Sequence, residues 1–255
     1  MFRIIFNGWM SERFIPQHGQ FTALCGSLDF LTMLKSSMDG KRGMNAMIKS
    51  VAAASLALAA ILPANIAFAE TAVFAGGCFW CVESDMDAVK GVTSTVSGYA
   101  GGAEPNPTYD SHKGYTEAVK VEFDPKVISY GELTAIFLRT IDVTDAGGQF
   151  CDRGSSYVSA IFPMGDAQLK AAKDAVAEAE KSLGQKIVTP VTAYTTFGDA
   201  EDYHQNYYQG DNSVLTRFGY IKQADAYKRY RKGCGRDAQV KAVWGARAYE
   251  GVAAH

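Results

Sequence analysis

From Thr71 onward the hydrophobic residues change period in an order that leaves few folds open. The apolar run Thr71-Ala72-Val73-Phe74-Ala75 reads as a strand, and an apolar-periodic helix follows from Cys78 to about Val89. Gly91 breaks the chain before a strand near 92–98. Gly98, Gly101, Gly102, Pro105 and Pro107 turn the next stretch into a loop. Thr116 to Phe123 alternates apolar and polar residues until Asp124-Pro125 stops it. Ser129 and Glu132 form a capping box for a helix with apolar positions at Leu133, Ile136, Phe137 and Ile141. A glycine-rich loop over 145–155 and a strand at Tyr157–Phe162 come next. A long Ala/Lys/Glu helix from Asp166 to Leu183, closed by Gly184, and a strand at Ile187–Tyr194 complete the series. Strand, helix, strand, strand, helix, strand is the ferredoxin-like order. The expected fold class is α/β (α+β): a two-layer sandwich with a βαββαβ core, its helices on one face of a mixed sheet.

Within that order, Gly76-Gly77-Cys78-Phe79-Trp80-Cys81-Val82-Glu83 places a thiol where a strand and a glycine pair give way to a helix. Unpaired N–H groups and the positive end of the helix dipole favour a thiolate there, and the thiolate is the nucleophilic form. Phe79 and Trp80 are of the right type to wall a small apolar pocket beside it. Two buried, inert cysteines among core aromatics would give the same octapeptide. A Cys-x-x-Cys at a helix start is the usual redox-active arrangement. A zinc site needs a second pair, and Cys151 and Cys234 are isolated and far apart, so no metal is expected.

The 255 residues are 47% hydrophobic and 20% charged, with a formal net charge of −2. No basic patch marks the chain, so neither nucleic acid nor a stable membrane association is expected. Lys49 precedes the apolar run Val51–Leu62, and Ala67-Phe68-Ala69 closes it with a small-x-small pattern. These are the three parts of a signal peptide cleaved before Glu70, and the apolar run is short for a membrane span. Met44 and Met47, just upstream, place the translation start at one of them and make residues 1–43 a spurious extension. A genuine N-terminal segment with an uncleaved anchor is the alternative. Cleavage would leave a periplasmic or secreted protein with Cys78, Cys81, Cys151 and Cys234.

The Gly76–Trp80 block resembles the signature of the peptide methionine sulfoxide reductase A family, which reduces the S epimer of methionine sulfoxide. Four more blocks agree in order: Gly98-Tyr99-Ala100-Gly101-Gly102, Asn106-Pro107-Thr108-Tyr109, Gly114-Tyr115-Thr116-Glu117-Ala118 and Asp152-Arg153-Gly154-Ser155-Ser156-Tyr157. Ala200-Glu201-Asp202-Tyr203-His204-Gln205 is similar to the family's late Tyr-His-Gln helix. The resemblance implies Cys78 as nucleophile, Phe79 and Trp80 as walls for the substrate's methyl group, and Glu117 as the acid. It implies Tyr109 and Tyr157 as the phenols that hold the sulfoxide oxygen, with Asp152 in support. The family fold is a two-layer α/β sandwich. The expected organisation is the extension over 1–43, a signal peptide over 44–69, a catalytic domain over 70–222 and a C-terminal tail over 223–255.

The chemistry accounts for these residue types. A sulfoxide sulfur becomes electrophilic when its oxygen is protonated, which a carboxyl kept neutral by burial can do. The two phenols stabilise charge on that oxygen. Cys78 is left as a sulfenic acid, a second thiol condenses with it, and an external thioredoxin-type reductant reopens the disulfide without a cofactor. Substrates are oxidised proteins or peptides and free methionine sulfoxide. Three thiols compete to resolve the sulfenic acid. Cys81 is preferred because positions three apart share a helix face. Cys234, in a flexible Gly-flanked segment with basic neighbours, comes second, and Cys151 is third. Strand alternation would turn Glu117 to solvent unless a loop folds over it. Tyr115 and Val158 stand where the family usually carries His and Arg, and Ile141-Asp142-Val143 replaces its His-Asp-Pro. His204 reads as structural. The rival function is a thioredoxin-like disulfide oxidoreductase using Cys78-x-x-Cys81, although Phe-Trp between the cysteines departs from the small or turn-forming residues usual there.

Overall fold

The computed structural model describes residues 69–217 and 219–253. The expected extension and the signal peptide up to residue 68 lie outside the described residues. The core begins with β1 (Glu70–Gly76), α1 (Phe79–Asp87), β2 (Val92–Ala100), β3 (Thr116–Phe123) and α2 (Tyr130–Leu138). A small hairpin, β4 (Gly148–Gln149) and β5 (Asp152–Arg153), follows, then β6 (Ser159–Ile161), α3 (Asp166–Leu183) and β7 (Phe197–Asp199). A second hairpin, β8 (Ser213–Thr216) and β9 (Gly219–Lys222), leads into α4 (Gln223–Gly233) and α5 (Arg236–Trp244).

The main sheet has the order β6-β1-β3-β2-β7, and every pairing between these strands is antiparallel. The ferredoxin-like order therefore holds, but the expected mixed sheet does not. Each strand–helix–strand crossover joins strands of the same direction, and β3 inserts between β1 and β2, so like-directed strands are never neighbours. The parallel contribution is one isolated bridge, Ile161 to Val191. That bridge is also what becomes of the strand expected at Ile187–Tyr194. Ile161 N–H donates to Pro190 O and Thr192 N–H donates to Ile161 O, but Pro190 has no N–H to extend the ladder.

Ser129 caps α2 as the capping box requires, its side chain accepting from Glu132 N–H while Glu132 accepts from Ser129 N–H. Gly184 ends α3 in the left-handed conformation. Phe74, Val82, Met86, Val119, Val121, Leu133, Phe137 and Ile141 fill the layer between the sheet and its helices, all fully buried. The opposite sheet face carries smaller residues, Val73, Ala75, Ala100, Ala118 and Ala160, closed over by Phe162 and Phe197.

Residues 223–253, expected as a tail, fold back onto the domain. Tyr227, Arg231, Arg236, Val240 and Trp244 are buried. Trp244 Nε1 donates to Ile141 O at 3.1 Å and Arg236 Nη1 donates to Gly76 O at 3.1 Å. Asp85, buried on α1, pairs with Arg231 at 2.8 Å and Arg236 at 3.6 Å. Two of the basic residues beside Cys234, Arg231 and Arg236, are thus consumed in buried pairs. Among the described residues no helix is long and apolar enough to cross a membrane.

Candidate active site

Two glycines deliver the thiol to the end of β1. A side chain on Gly76 would meet Ile141 at 2.8 Å, and one on Gly77 would meet Gln149 Cβ at 2.6 Å. Gly77 also has φ +83, which L side chains rarely adopt. The chain can then turn sharply, leaving Cys78 as the N-cap of α1 with its carbonyl accepting from Cys81 N–H at 3.0 Å.

Cys78 is only 6% exposed, and Cys81, one turn later, is buried beside it. The two free thiols pack in one buried cluster, near enough for each to shift the other's ionisation. The expectation of a thiolate on Cys78 needs correction for the resting protein. Burial pushes the Cys78 thiol well above its ordinary range, and Cys81, Glu117 and Asp152 add to that. Burial acts on Cys81 too, but the neighbouring Cys78 thiol and the positive charges of Arg236 and Arg231 outweigh it and bring that thiol down. Desolvation outweighs the helix N-terminus here, and the two thiols are pushed in opposite directions, Cys78 up and Cys81 down.

Glu117 is 2% exposed and not turned to solvent as expected, because it is in phase with Val119, Val121 and Phe123, whose face of β3 meets the helix layer. The start of α1 covers that end of β3, and Glu117 Oε2 accepts Phe79 N–H at 3.0 Å. Burial raises its carboxyl to about 8, with the nearby Asp152 charge adding to the effect and the bonds from Phe79 and Tyr157 opposing it. At neutral pH Glu117 is an acid with a proton to give. The Tyr157 phenol reaches Glu117, and the half-exposed Tyr109 reaches Tyr157. Tyr109 is fixed through its backbone N–H, which donates to Glu201 at 3.0 Å. Cys78, Glu117, Tyr109, Tyr157 and Asp152 thus lie near enough for their charges to act on one another.

Phe79 and Trp80 lie side by side, ring centroids 6.1 Å apart, at the same end of the sheet. Tyr207 stacks on Trp80 at 3.8 Å, and Tyr230 meets its edge at 6.3 Å. Sequence reasoning passed over both tyrosines, since single tyrosines in polar segments carry no signal. His204 is buried against Phe79, Trp80, Tyr109 and Tyr203. Burial lowers its pKa to about 4, so the ring is neutral at working pH and contributes to the aromatic wall. Glu83 carboxylate oxygens accept Asn206 N–H at 3.1 Å, tying the loop that carries His204 and Tyr207 to α1. His112 bridges Thr108 and Ser156, at 3.0 and 3.1 Å, and so links the Tyr109 and Tyr157 segments where Tyr115 replaced the usual histidine.

Cys234 lies at the C-terminus of α4, bonded to Cys151, and not on a flexible segment. These two sulfurs and an Asp152 oxygen lie within 4.8 Å of one another, but as a disulfide the cysteines supply no thiolate ligands for a metal. Among the described residues the free thiols are Cys78 and Cys81.

A strand-to-helix thiol, a neutral buried carboxyl and two phenols on a split-βαβ scaffold define a thiol oxidoreductase. Residues 70–241 match the family model for peptide methionine sulfoxide reductase. The peptide methionine sulfoxide reductase MsrA 2 of Rhizobium meliloti is 49% identical over 194 residues, covering 75% of this chain and 92% of that protein. The Bacillus subtilis peptide methionine sulfoxide reductase MsrA is 42% identical, covering 70% and 97%. Among solved structures, reduced Mxr1 from Saccharomyces cerevisiae superposes with a TM-score of 0.52 at 29% identity, covering 64% of this chain and 97% of that one. Methionine sulfoxide reductase A of Corynebacterium diphtheriae gives the same score and identity, covering 63% and 86%. This chain belongs to the peptide methionine sulfoxide reductase family. It is an oxidoreductase whose activity is the thiol-dependent reduction of methionine sulfoxide.

Proposed function

We propose that the protein reduces the S epimer of methionine sulfoxide, in proteins and as the free amino acid, through Cys78 sulfenic acid and a Cys78–Cys81 disulfide. The observation that carries this reading is Glu117, a fully buried carboxyl held neutral to about pH 8 beside the thiol. Phe79 and Trp80 take the substrate methyl group, and Tyr109 and Tyr157 hold the oxygen. Glu117 gives its proton to that oxygen as the Cys78 sulfur attacks the substrate sulfur, and the Cys78 proton passes to the Glu117 carboxylate left behind. The hydroxyl shifts from the substrate sulfur to Cys78 Sγ as the sulfur–sulfur bond breaks, so methionine leaves and Cys78 is left as a sulfenic acid. Cys81 Sγ then attacks Cys78 Sγ as its proton passes to Glu117. The sulfur–oxygen bond breaks and the oxygen, taking the Glu117 proton, departs as water. Cys81 is favoured as resolving thiol by its place one helical turn after Cys78 in the same buried cluster, whereas Cys234 is occupied by Cys151. A thioredoxin-type dithiol then supplies two electrons and two protons to restore the pair.

Cleavage before Glu70 and export are part of the same proposal. The first strand and the family match both begin at residue 70, immediately after the proposed cleavage site, which supports this organisation. The test of the activity is to supply each epimer separately with a dithiol reductant and, in parallel, insulin. Loss of the S epimer alone, with insulin disulfides intact, is the expected result. Insulin reduction without sulfoxide turnover would transfer the assignment to a disulfide oxidoreductase.

A further inference from the structure

The Cys151–Cys234 bond joins residues 83 positions apart, with Cα atoms at 4.9 Å. Cys151 is exposed and Cys234 half-buried, so this bond faces solvent while Cys78 and Cys81 do not. Its two ends have the active site as a common neighbour. Cys151 is the second residue of the two-residue turn between β4 and β5, and the next residue is Asp152. The first turn residue, Phe150, has φ +56, a conformation a bulky side chain rarely takes. Arg236 holds it, with the guanidinium 4.7 Å from the ring, and the same side chain donates to Gly76 O just before the thiol. At the other end, Tyr230 lies one helical turn before Cys234. Its phenol donates to Asp152 Oδ2 and its ring meets the edge of Trp80.

We infer that the Cys151–Cys234 disulfide takes no part in turnover and instead fixes Tyr230 as the positioning residue for Asp152 beside Cys78; this rests on the reductase reading of the site. Cys78 already has a free thiol beside it, Cys81 in the first turn of the helix it caps, so turnover needs no sulfur from the second pair. Tyr230 acts on Asp152: burial pushes that carboxyl up, and the bond from Tyr230 and the charge of Arg236 oppose the push. That carboxylate acts on Glu117, which is also faced by Cys78 and Cys81 on α1, Tyr99 on β2, and Tyr109 and Tyr157. The disulfide staples the strained turn to α4 and so aligns Tyr230 with Asp152. A thioredoxin-type dithiol can open the staple with two electrons and two protons, breaking the sulfur–sulfur bond to give two thiols.

Two measurements test this. The whole chain, fully reduced and freed of reductant under anaerobic conditions, is given excess methionine S-sulfoxide. One methionine per chain is expected, with a Cys78–Cys81 disulfide and with Cys151 and Cys234 still alkylatable. Two methionines per chain and both disulfides formed would overturn the inference, because electrons would then pass between the pairs. No methionine at all would strike instead at the reductase reading.

The second measurement is the pH profile of kcat/KM for Tyr230→Phe, which keeps the ring on Trp80 and removes the donor to Asp152. With less negative charge held at Asp152, Glu117 ionises more readily, and the alkaline limb should move to lower pH with kcat/KM roughly tenfold lower, the scale of one hydrogen bond to a charged group. The double variant Cys151→Ser/Cys234→Ser should show the same shift, and the triple variant no more than either. Variants that differ from the parent only in melting temperature, with overlaid profiles, would reduce the staple to a structural bond.

Discussion

Replacing Glu117 with Gln should cripple catalysis and stabilise the fold at once. Gln keeps the volume of the side chain, and its carbonyl can still accept Phe79 N–H, as Glu117 does at 3.0 Å. It has no acidic proton for the sulfoxide oxygen, so kcat should fall by about 10²–10⁴-fold, the range for general acid catalysis. Stability should move the other way. Glu117 ionises near its ordinary 4.5 in the unfolded chain and near 8 in the folded one. Between those values the unfolded state releases a proton that the folded state keeps, so the group's contribution is fully present below pH 4.5 and is lost as pH rises through 8. At roughly 1.4 kcal/mol per pH unit, burying this acid costs about 3 kcal/mol at pH 7. Gln escapes that cost and should raise Tm by about 6–12 °C at pH 7, with little change at pH 4.5. Melting curves from pH 4.5 to 9 and single-turnover methionine release check both halves. Wild-type turnover in the variant, or a stability change that does not vary with pH, would refute the reasoning.

Cys78→Ser should abolish turnover altogether while leaving the Cys151–Cys234 bond intact, as peptide mapping would show. Cys81→Ser should release one methionine and then stall with a sulfenic acid on Cys78, detectable by dimedone labelling. Arg231→Met breaks the 2.8 Å pair with buried Asp85 and should cost about 3–5 kcal/mol in denaturant unfolding. N-terminal sequencing of exported protein should begin at Glu70, and a start within residues 1–60 would remove the cleavage proposal.

Local patterns in the sequence carried the core elements well. The alternation from Thr116 to Phe123, the Ser129–Glu132 box and the Asp166–Leu183 helix with its terminal glycine reappear at those residues. The periodicities are local, and so are the forces that set them. Strand neighbours are not local, and the insertion of β3 between β1 and β2 is what made the sheet antiparallel. Glu117 follows the alternation of β3, in phase with Val119, Val121 and Phe123, and it was its charge, not its position, that made it read as solvent-facing. The helices after Gln223 escaped pattern reading because Arg231 and Arg236 are buried against Asp85, a charge complement that composition reads as a solvated surface. Cys78 and its motif were legible because one octapeptide holds the strand end, the glycine turn and the thiols. The Cys151–Cys234 bond, across 83 residues, and the Tyr230–Asp152 contact beside it were not.

The central claim is that Cys78 takes oxygen from a methionine sulfoxide sulfur, and oxygen labelling tests it most directly. The Cys81→Ser variant would be mixed with one equivalent of methionine S-sulfoxide carrying heavy oxygen, and the intact protein and its Cys78 peptide weighed. The account expects one heavy oxygen on Cys78, one methionine released, and no reaction with the R epimer. An unlabelled Cys78, or label found only in water while methionine appears, would contradict it.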